Sequence, residues 1–182
     1  MPTPERHDSF RGYFAYELYL HMQNNKDIFV LTGDLGYGML DYIKRDFPER
    51  FINCGAAEQA MMGIAVGLAL EGKIPVVYSI TTFLLYRPFE TIRNYINHEQ
   101  IPVKLVGSGR GKDYKHDGFS HWSEDAWKLF STPAHDKAAG TWIKLGFFSA
   151  IEHNWPKTKE EIPGLMEDFL YDKKPHFLSL RR

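Results

Sequence analysis

The chain has 182 residues, 43% of them hydrophobic, and its 23 acidic and 22 basic side chains leave a formal net charge of −1. That length supports one sizeable core, so a single domain over residues 1–182 is expected, and the interspersed charges leave no basic stripe for nucleic acid or a membrane surface. The single cysteine, Cys54, excludes an internal disulfide framework and a multi-cysteine metal site, while the absence of a signal-like segment or a membrane-length apolar run points to a cytoplasmic protein.

Residues 8–25 carry Phe10, Tyr13, Phe14, Leu18 and Met22 near helical spacing, with Asp8 or Ser9 as the cap. Residues 27–32 (DIFVLT) form a short apolar run that ends in the turn Gly33-Asp34-Leu35-Gly36, a strand followed by a turn. A helix is expected over 41–47, stopping before Pro48, and a second strand over 51–54. Residues 53–73 (NCGAAEQAMMGIAVGLALEGK) are apolar nearly all round, the pattern of a fully buried helix, and end near Gly72. A third strand follows at 75–80 (PVVYSI). Residues 83–97 read as a helix, with Pro88 in its first turn or marking a late start. A fourth strand covers 102–107 (PVKLVG), and 108–122 form a polar, glycine-rich loop. Beyond it, 123–130 read as helical, 131–140 as an irregular link and 141–154 as one or two strands. A helix over 158–171 opens on the capping-box pair Thr158 and Glu161, with Pro163 as a blemish, and 176–180 (HFLSL) close the sheet.

Short apolar strands alternating with helices give an α/β fold with a mainly parallel sheet and helices on both faces. In such sheets ligands bind beyond the carboxyl ends of the strands, which draws attention to Asp34, to 55–58, to 81–83 and to the loop after Gly107.

Glu58 is the lone acid entering the apolar 53–73 helix. A helix start favours an acid through the dipole; an acid in a buried helix must also find a donor or shift its pKa. Phe83, Tyr86 and Phe89 follow at i, i+3, i+6, either as ordinary core or as an aromatic wall beside Glu58 for a flat heteroaromatic ligand. Gly63 and Gly67, four apart, suit close packing with another element or another subunit. His116, Asp117 and His121 share the polar loop. Zinc needs three or four ligands, and no companion pair stands nearby, so no metal is expected. The three residues suit an oxygen-rich substrate, acid–base work near neutral pH, or a plain solvated loop. The run GSGRG (107–111) lacks the ending of a nucleotide loop.

Four stretches together resemble the pyrimidine-binding domain of transketolase and related thiamine-diphosphate enzymes, over about residues 11–181: LTGDLG, GAAEQAMMGIAVGLALEG, YSITTFLLYRPFETIRN and DGFSH. The resemblance implies the thiamine-diphosphate-binding fold of the pyrimidine-domain type. It implies that Glu58 is the catalytic glutamate that hydrogen-bonds and activates the cofactor's pyrimidine. By the same resemblance Phe83, Tyr86 and Phe89 form the pyrimidine wall, and Asp34 lies near the cofactor and the subunit contact. Asp117 and His121 match residues that contact sugar hydroxyls, with His116 beside them, and His121 is the substrate-side catalytic candidate. Arg11 and Arg181 match phosphate ligands. Two departures stand out: the family histidine upstream of the DG pair falls near Gly109, and Gly38 stands where transketolase often has a phosphate-binding serine.

The family's GDG…N metal motif is not found in this sequence. The expectation is a split enzyme, in which this chain is the pyrimidine-binding subunit and a separate diphosphate-binding subunit carries Mg2+ or Ca2+, in an α2β2 heterotetramer. Self-association through the Glu58 helix would use Gly63 and Gly67. The implied activity belongs to carbohydrate metabolism: transfer of a two-carbon ketol unit between sugar-type substrates. A subunit of a 2-oxo acid decarboxylase or carboligase, and a non-catalytic paralogue that regulates a partner, remain as alternatives.

Overall fold

The computed structural model describes residues 4–130, 132–136 and 141–182. In chain order they form helix α1 (Phe10–Asn24), strand β1 (Ile28–Thr32), α2 (Asp41–Asp46), β2 (Phe51–Asn53), α3 (Glu58–Leu70), β3 (Ile74–Ile80), α4 (Thr81–Tyr86) and α5 (Phe89–Thr91). A π-helical stretch, Ile92–His98, then leads to β4 (Lys104–Ser108), β5 (Thr132–Asp136), β6 (Thr141–Leu145), β7 (Glu152–Asn154), α6 (Ile162–Tyr171) and β8 (His176–Leu180). Ser9 caps α1, its Oγ accepting from Gly12 N at 3.1 Å, which satisfies one of the donors a helix start leaves free.

Six strands make one sheet in the order β2-β1-β3-β4-β8-β7, and every neighbouring pair is parallel. Successive side chains go to opposite faces. Leu31, Val77, Leu105 and Phe177 join one core with Met61, Met62 and Ala65 of α3 and with Leu84 and Leu85 of α4. Their neighbours Val30, Val76, Val106 and Leu178 join a second core with Phe14, Leu18 and Met22 of α1 and Phe169 of α6. Covering both faces buries β4 and β8 at every position, which is why these strands lack a polar alternation.

Lys104 is the exception inside β4. Its Nζ donates to the carbonyls of Asp172 and Lys174, at 2.6 and 2.7 Å, tying the α6–β8 turn to the sheet. Burial pushes this ammonium down to about 8. Lys104 stands opposite His176 in the register, and His176 Nε2 lies 3.1 Å from Asp172 Oδ2.

Several elements depart from the expectations. The 53–73 helix is not fully buried: Ile64 is 44% and Leu70 69% exposed, and a Cβ placed on Gly63 or Gly67 meets nothing within 4 Å. A helix apolar all round reads the same whether its outer face meets core or is left for another chain. The 83–97 helix starts earlier, at Thr81, and breaks at Pro88, which cannot donate a helical hydrogen bond. Residues 123–130 contain only a short 3-10 turn, Ala126–Leu129. Its lead-in is claimed by the polar loop, because Ser123 N bonds Gly111 O at 2.9 Å. Within 131–140, Thr132–Asp136 is a strand, paired antiparallel with Thr141–Leu145 outside the main sheet; residues 131 and 137–140 lie outside the described residues. Residues 176–180 do not close the sheet but lie inside it, and β7 takes the edge. Thr158 and Glu161 form the expected capping box over the 3-10 turn Lys159–Glu161, and Pro163 falls in the first turn of α6, where its missing N–H costs nothing.

Candidate active site

Three strand ends converge on the start of α3. Asn53, the last residue of β2, accepts at Oδ1 from the backbone N–H groups of Asp34 and Gly55, both at 3.0 Å. This ties the turn after β1 to the lead-in of α3. A Cβ placed on Gly33 lies 3.5 Å from Glu58 Oε1 and 3.6 Å from Ser79 Oγ, near the end of β3. Ser79 Oγ is buried and has no hydrogen-bond partner among the described residues.

Glu58 is 3% exposed. A buried carboxylate requires a cation or strong donors, and Arg87 supplies them: its Nη1 lies 2.7 and 2.8 Å from the two carboxylate oxygens. The guanidinium carbon sits 3.8 Å from the centroid of the Phe83 ring, a cation–π stack. Phe83 and Arg87 are four residues apart at the end of α4, a spacing that places one over the other. On its other side Phe83 meets the His121 ring edge-to-face at 4.8 Å. A continuous row therefore runs from Glu58 through Arg87 and Phe83 to His121.

The polar loop is pinned so that His121 reaches this row. Thr81 Oγ1 donates to Gly109 O at 2.7 Å and Thr82 Oγ1 to Ser120 O at 2.8 Å. The loop folds as two 3-10 turns, Lys115–Asp117 and Phe119–His121, joined at Gly118 with φ +85°. Tyr114 anchors it from below, its hydroxyl 2.8 Å from Ser108 Oγ at the end of β4 and its ring 6.4 Å from that of His121.

The other expected site residues are placed as follows. Asp34 takes a left-handed conformation, φ +57°; the Tyr37 hydroxyl at 2.7 Å and Asn53 Nδ2 at 3.2 Å hold its carboxyl below the usual range. Tyr86 turns its hydroxyl to Asp125, 2.9 Å away, and Phe89 packs on Phe147 and Phe148. The break at Pro88 thus parts the three rings, and only Phe83 touches the Glu58 ion pair. His116 and Asp117 are exposed, with no side-chain hydrogen bond among the described residues. Arg11, on α1, keeps a buried Nε without a partner among the described residues and lies beside Tyr78, whose phenol burial pushes up against the pull of Ser108 and Arg11. Arg181 is exposed just past β8, on a cavity of about 430 Å3 shared with Lys112, Trp127 and Trp155.

Sequence reasoning missed Arg87. An arginine before a proline in an aromatic run reads as a helix-end surface cation, and only the i, i+4 spacing from Phe83 signals a stack.

Among known proteins, the family model described as the transketolase pyrimidine binding domain matches residues 9–182. A putative transketolase C-terminal section from Methanocaldococcus jannaschii is 40% identical over 97 residues, covering 53% of this chain and 31% of that protein. One of the two chains of an apulose-4-phosphate transketolase from Actinobacillus succinogenes is 37% identical over 81 residues, covering 44% of this chain and 26% of that protein. The chain thus spans about a third or less of the length of these curated relatives. A solved structure of a split gene transketolase, an inactive beta4 tetramer, superposes with a TM-score of 0.72 at 25% identity, over 96% of this chain and 52% of that one. The chain belongs to the transketolase pyrimidine-binding domain family.

Proposed function

We propose that the chain is the pyrimidine-binding subunit of a split, thiamine-diphosphate-dependent transketolase-like enzyme that transfers a two-carbon ketol unit between sugar-type substrates. The observation that carries this reading is the buried Glu58 carboxylate facing the Phe83 ring with a planar group held between them. That pairing fits an aminopyrimidine, because a carboxylate can hydrogen-bond a ring nitrogen while an aromatic face covers the ring. The guanidinium of Arg87 already occupies the slot in that manner, so the residues present fit the group. When bound, thiamine diphosphate supplies the nucleophilic carbon for the transfer.

The chain's own contributions follow from its geometry. Glu58 holds a proton at the ring nitrogen. Phe83 fixes the ring plane. Asp34, on the turn tied to Gly55 through Asn53, shapes the approach to the slot. His121, seated against Phe83, is the nearest imidazole of the polar loop to the row, placed to exchange a proton with a substrate hydroxyl. Asp117, Arg11 and Arg181 are the substrate-side polar groups, with His116 at the loop's outer edge.

The diphosphate, with Mg2+ or Ca2+, is assigned to a separate chain, in an α2β2 assembly with a cytoplasmic setting. Support comes from the relatives named as a transketolase subunit and as a split gene transketolase. The open apolar face of α3, which no described element covers, supports it too. No helix among the described residues is long and apolar enough to cross a membrane. Co-expression with the diphosphate-binding chain tests the reading: ketol transfer should require both chains, and robust turnover by this chain alone contradicts it.

A further inference from the structure

The carboxylate assigned to the cofactor is already engaged. Arg87 makes two contacts at once: it donates to both oxygens of Glu58 at 2.7 and 2.8 Å, and it lays its guanidinium on Phe83 at 3.8 Å. A heteroaromatic ring bound between Glu58 and Phe83 needs the same donor position and the same aromatic face. Ring and guanidinium cannot share that volume.

Arg87 is built to leave. Its side chain is 46% exposed, against 2% for that of Glu58. It sits at the C-terminal end of α4, directly before the break at Pro88, and makes no other side-chain hydrogen bond among the described residues. It is also held in place while the slot is free of ligand, because withdrawing it would strand a buried carboxylate without a counter-charge. Departure therefore requires a replacement donor.

We infer that Arg87 is a displaceable latch: it closes over Glu58 and Phe83 in the ligand-free chain and is expelled when the aminopyrimidine enters. The inference rests on the assignment of Glu58 to the cofactor ring. Its consequence is regulatory. Apparent affinity is the intrinsic affinity scaled by the fraction of chains with the latch open, so the free chain binds the ring weakly. The same latch keeps the charge of the activating acid paired until cofactor arrives.

The test uses the full chain and a named probe, the hydroxymethyl aminopyrimidine fragment of thiamine, titrated by calorimetry. Arg87→Gln should tighten binding about tenfold, the factor for a latch open in roughly one chain in ten. Glu58→Gln should remove binding in either background. In the wild type, the Arg87 side-chain 15N resonance should lose its restrained signature as the fragment saturates. If Arg87→Gln unfolds the chain, Arg87→Lys, which keeps the charge but not the planar stack, should give a smaller gain in affinity. Equal or weaker binding by a folded Arg87 variant overturns the latch and leaves Glu58's role standing. If neither wild type nor variant binds the fragment, the cofactor assignment itself fails and the latch falls with it.

Discussion

The Tyr114 ring lies against the backbone of Gly109, in the space where any other residue would place its Cβ. Gly109 also adopts φ +86°, a conformation that disfavours side chains. The resemblance puts a family histidine near this position, and here a phenol anchored on Ser108 fills that room instead. Gly109→Ala should therefore cost about 2 kcal/mol or more, from left-handed strain plus displacement of the ring. Urea unfolding measures it. Combining Gly109→Ala with Tyr114→Ala should relieve the collision but not the strain, so the double variant should lose less than the sum of the two single variants.

The open face of α3 yields a prediction about assembly. Ile64 and Leu70 are outward-facing, so Leu70→Glu should change the stability of the isolated chain by no more than about 0.5 kcal/mol. It should weaken self-association through α3, because a charge would be buried between two apolar helices. Sedimentation velocity over a concentration series reads the second effect, and thermal unfolding the first. An unchanged association constant would assign the interface to another surface.

Stability should depend on pH through His176. Burial pushes its imidazole below the ordinary value of 6.5, with Asp172 pulling the other way. The unfolded chain takes up this proton near pH 6.5 while the folded chain resists it, so the unfolded state binds more protons in that range. The stabilisation is whole above about pH 6.5 and is lost as pH falls toward the folded value. Asp172, lowered chiefly by its hydrogen bond to His176, acts in the same direction, but only below its ordinary value of 3.8. Urea unfolding at pH 7 and pH 5 should show a smaller loss for His176→Asn than for the wild type, whatever its absolute stability.

Much of the fold is legible in the sequence because each parallel strand is a short apolar run closed by a turn. The strand order is not: β7, with three residues that are only half-buried, takes the edge, and β8 is drawn inside by long-range pairing that no local pattern encodes. Glu58 stands out because it is a lone acid in an apolar helix. Its partner does not, since Arg87 is one cation among many until α4 folds and sets it over Phe83. The rings at 83, 86 and 89 look like one stripe only while the helix is taken as unbroken, and Pro88 sends Phe89 to Phe148 instead.

Activation of a bound aminopyrimidine by Glu58, with the diphosphate held on a second chain, is tested most directly by proton exchange. The thiazolium C2 proton of thiamine diphosphate can be followed in D2O in the reconstituted two-chain complex. Glu58→Gln should slow that exchange on the order of a hundred- to ten-thousand-fold while both chains stay folded and associated. Exchange at the wild-type rate in that complex would contradict the role of Glu58.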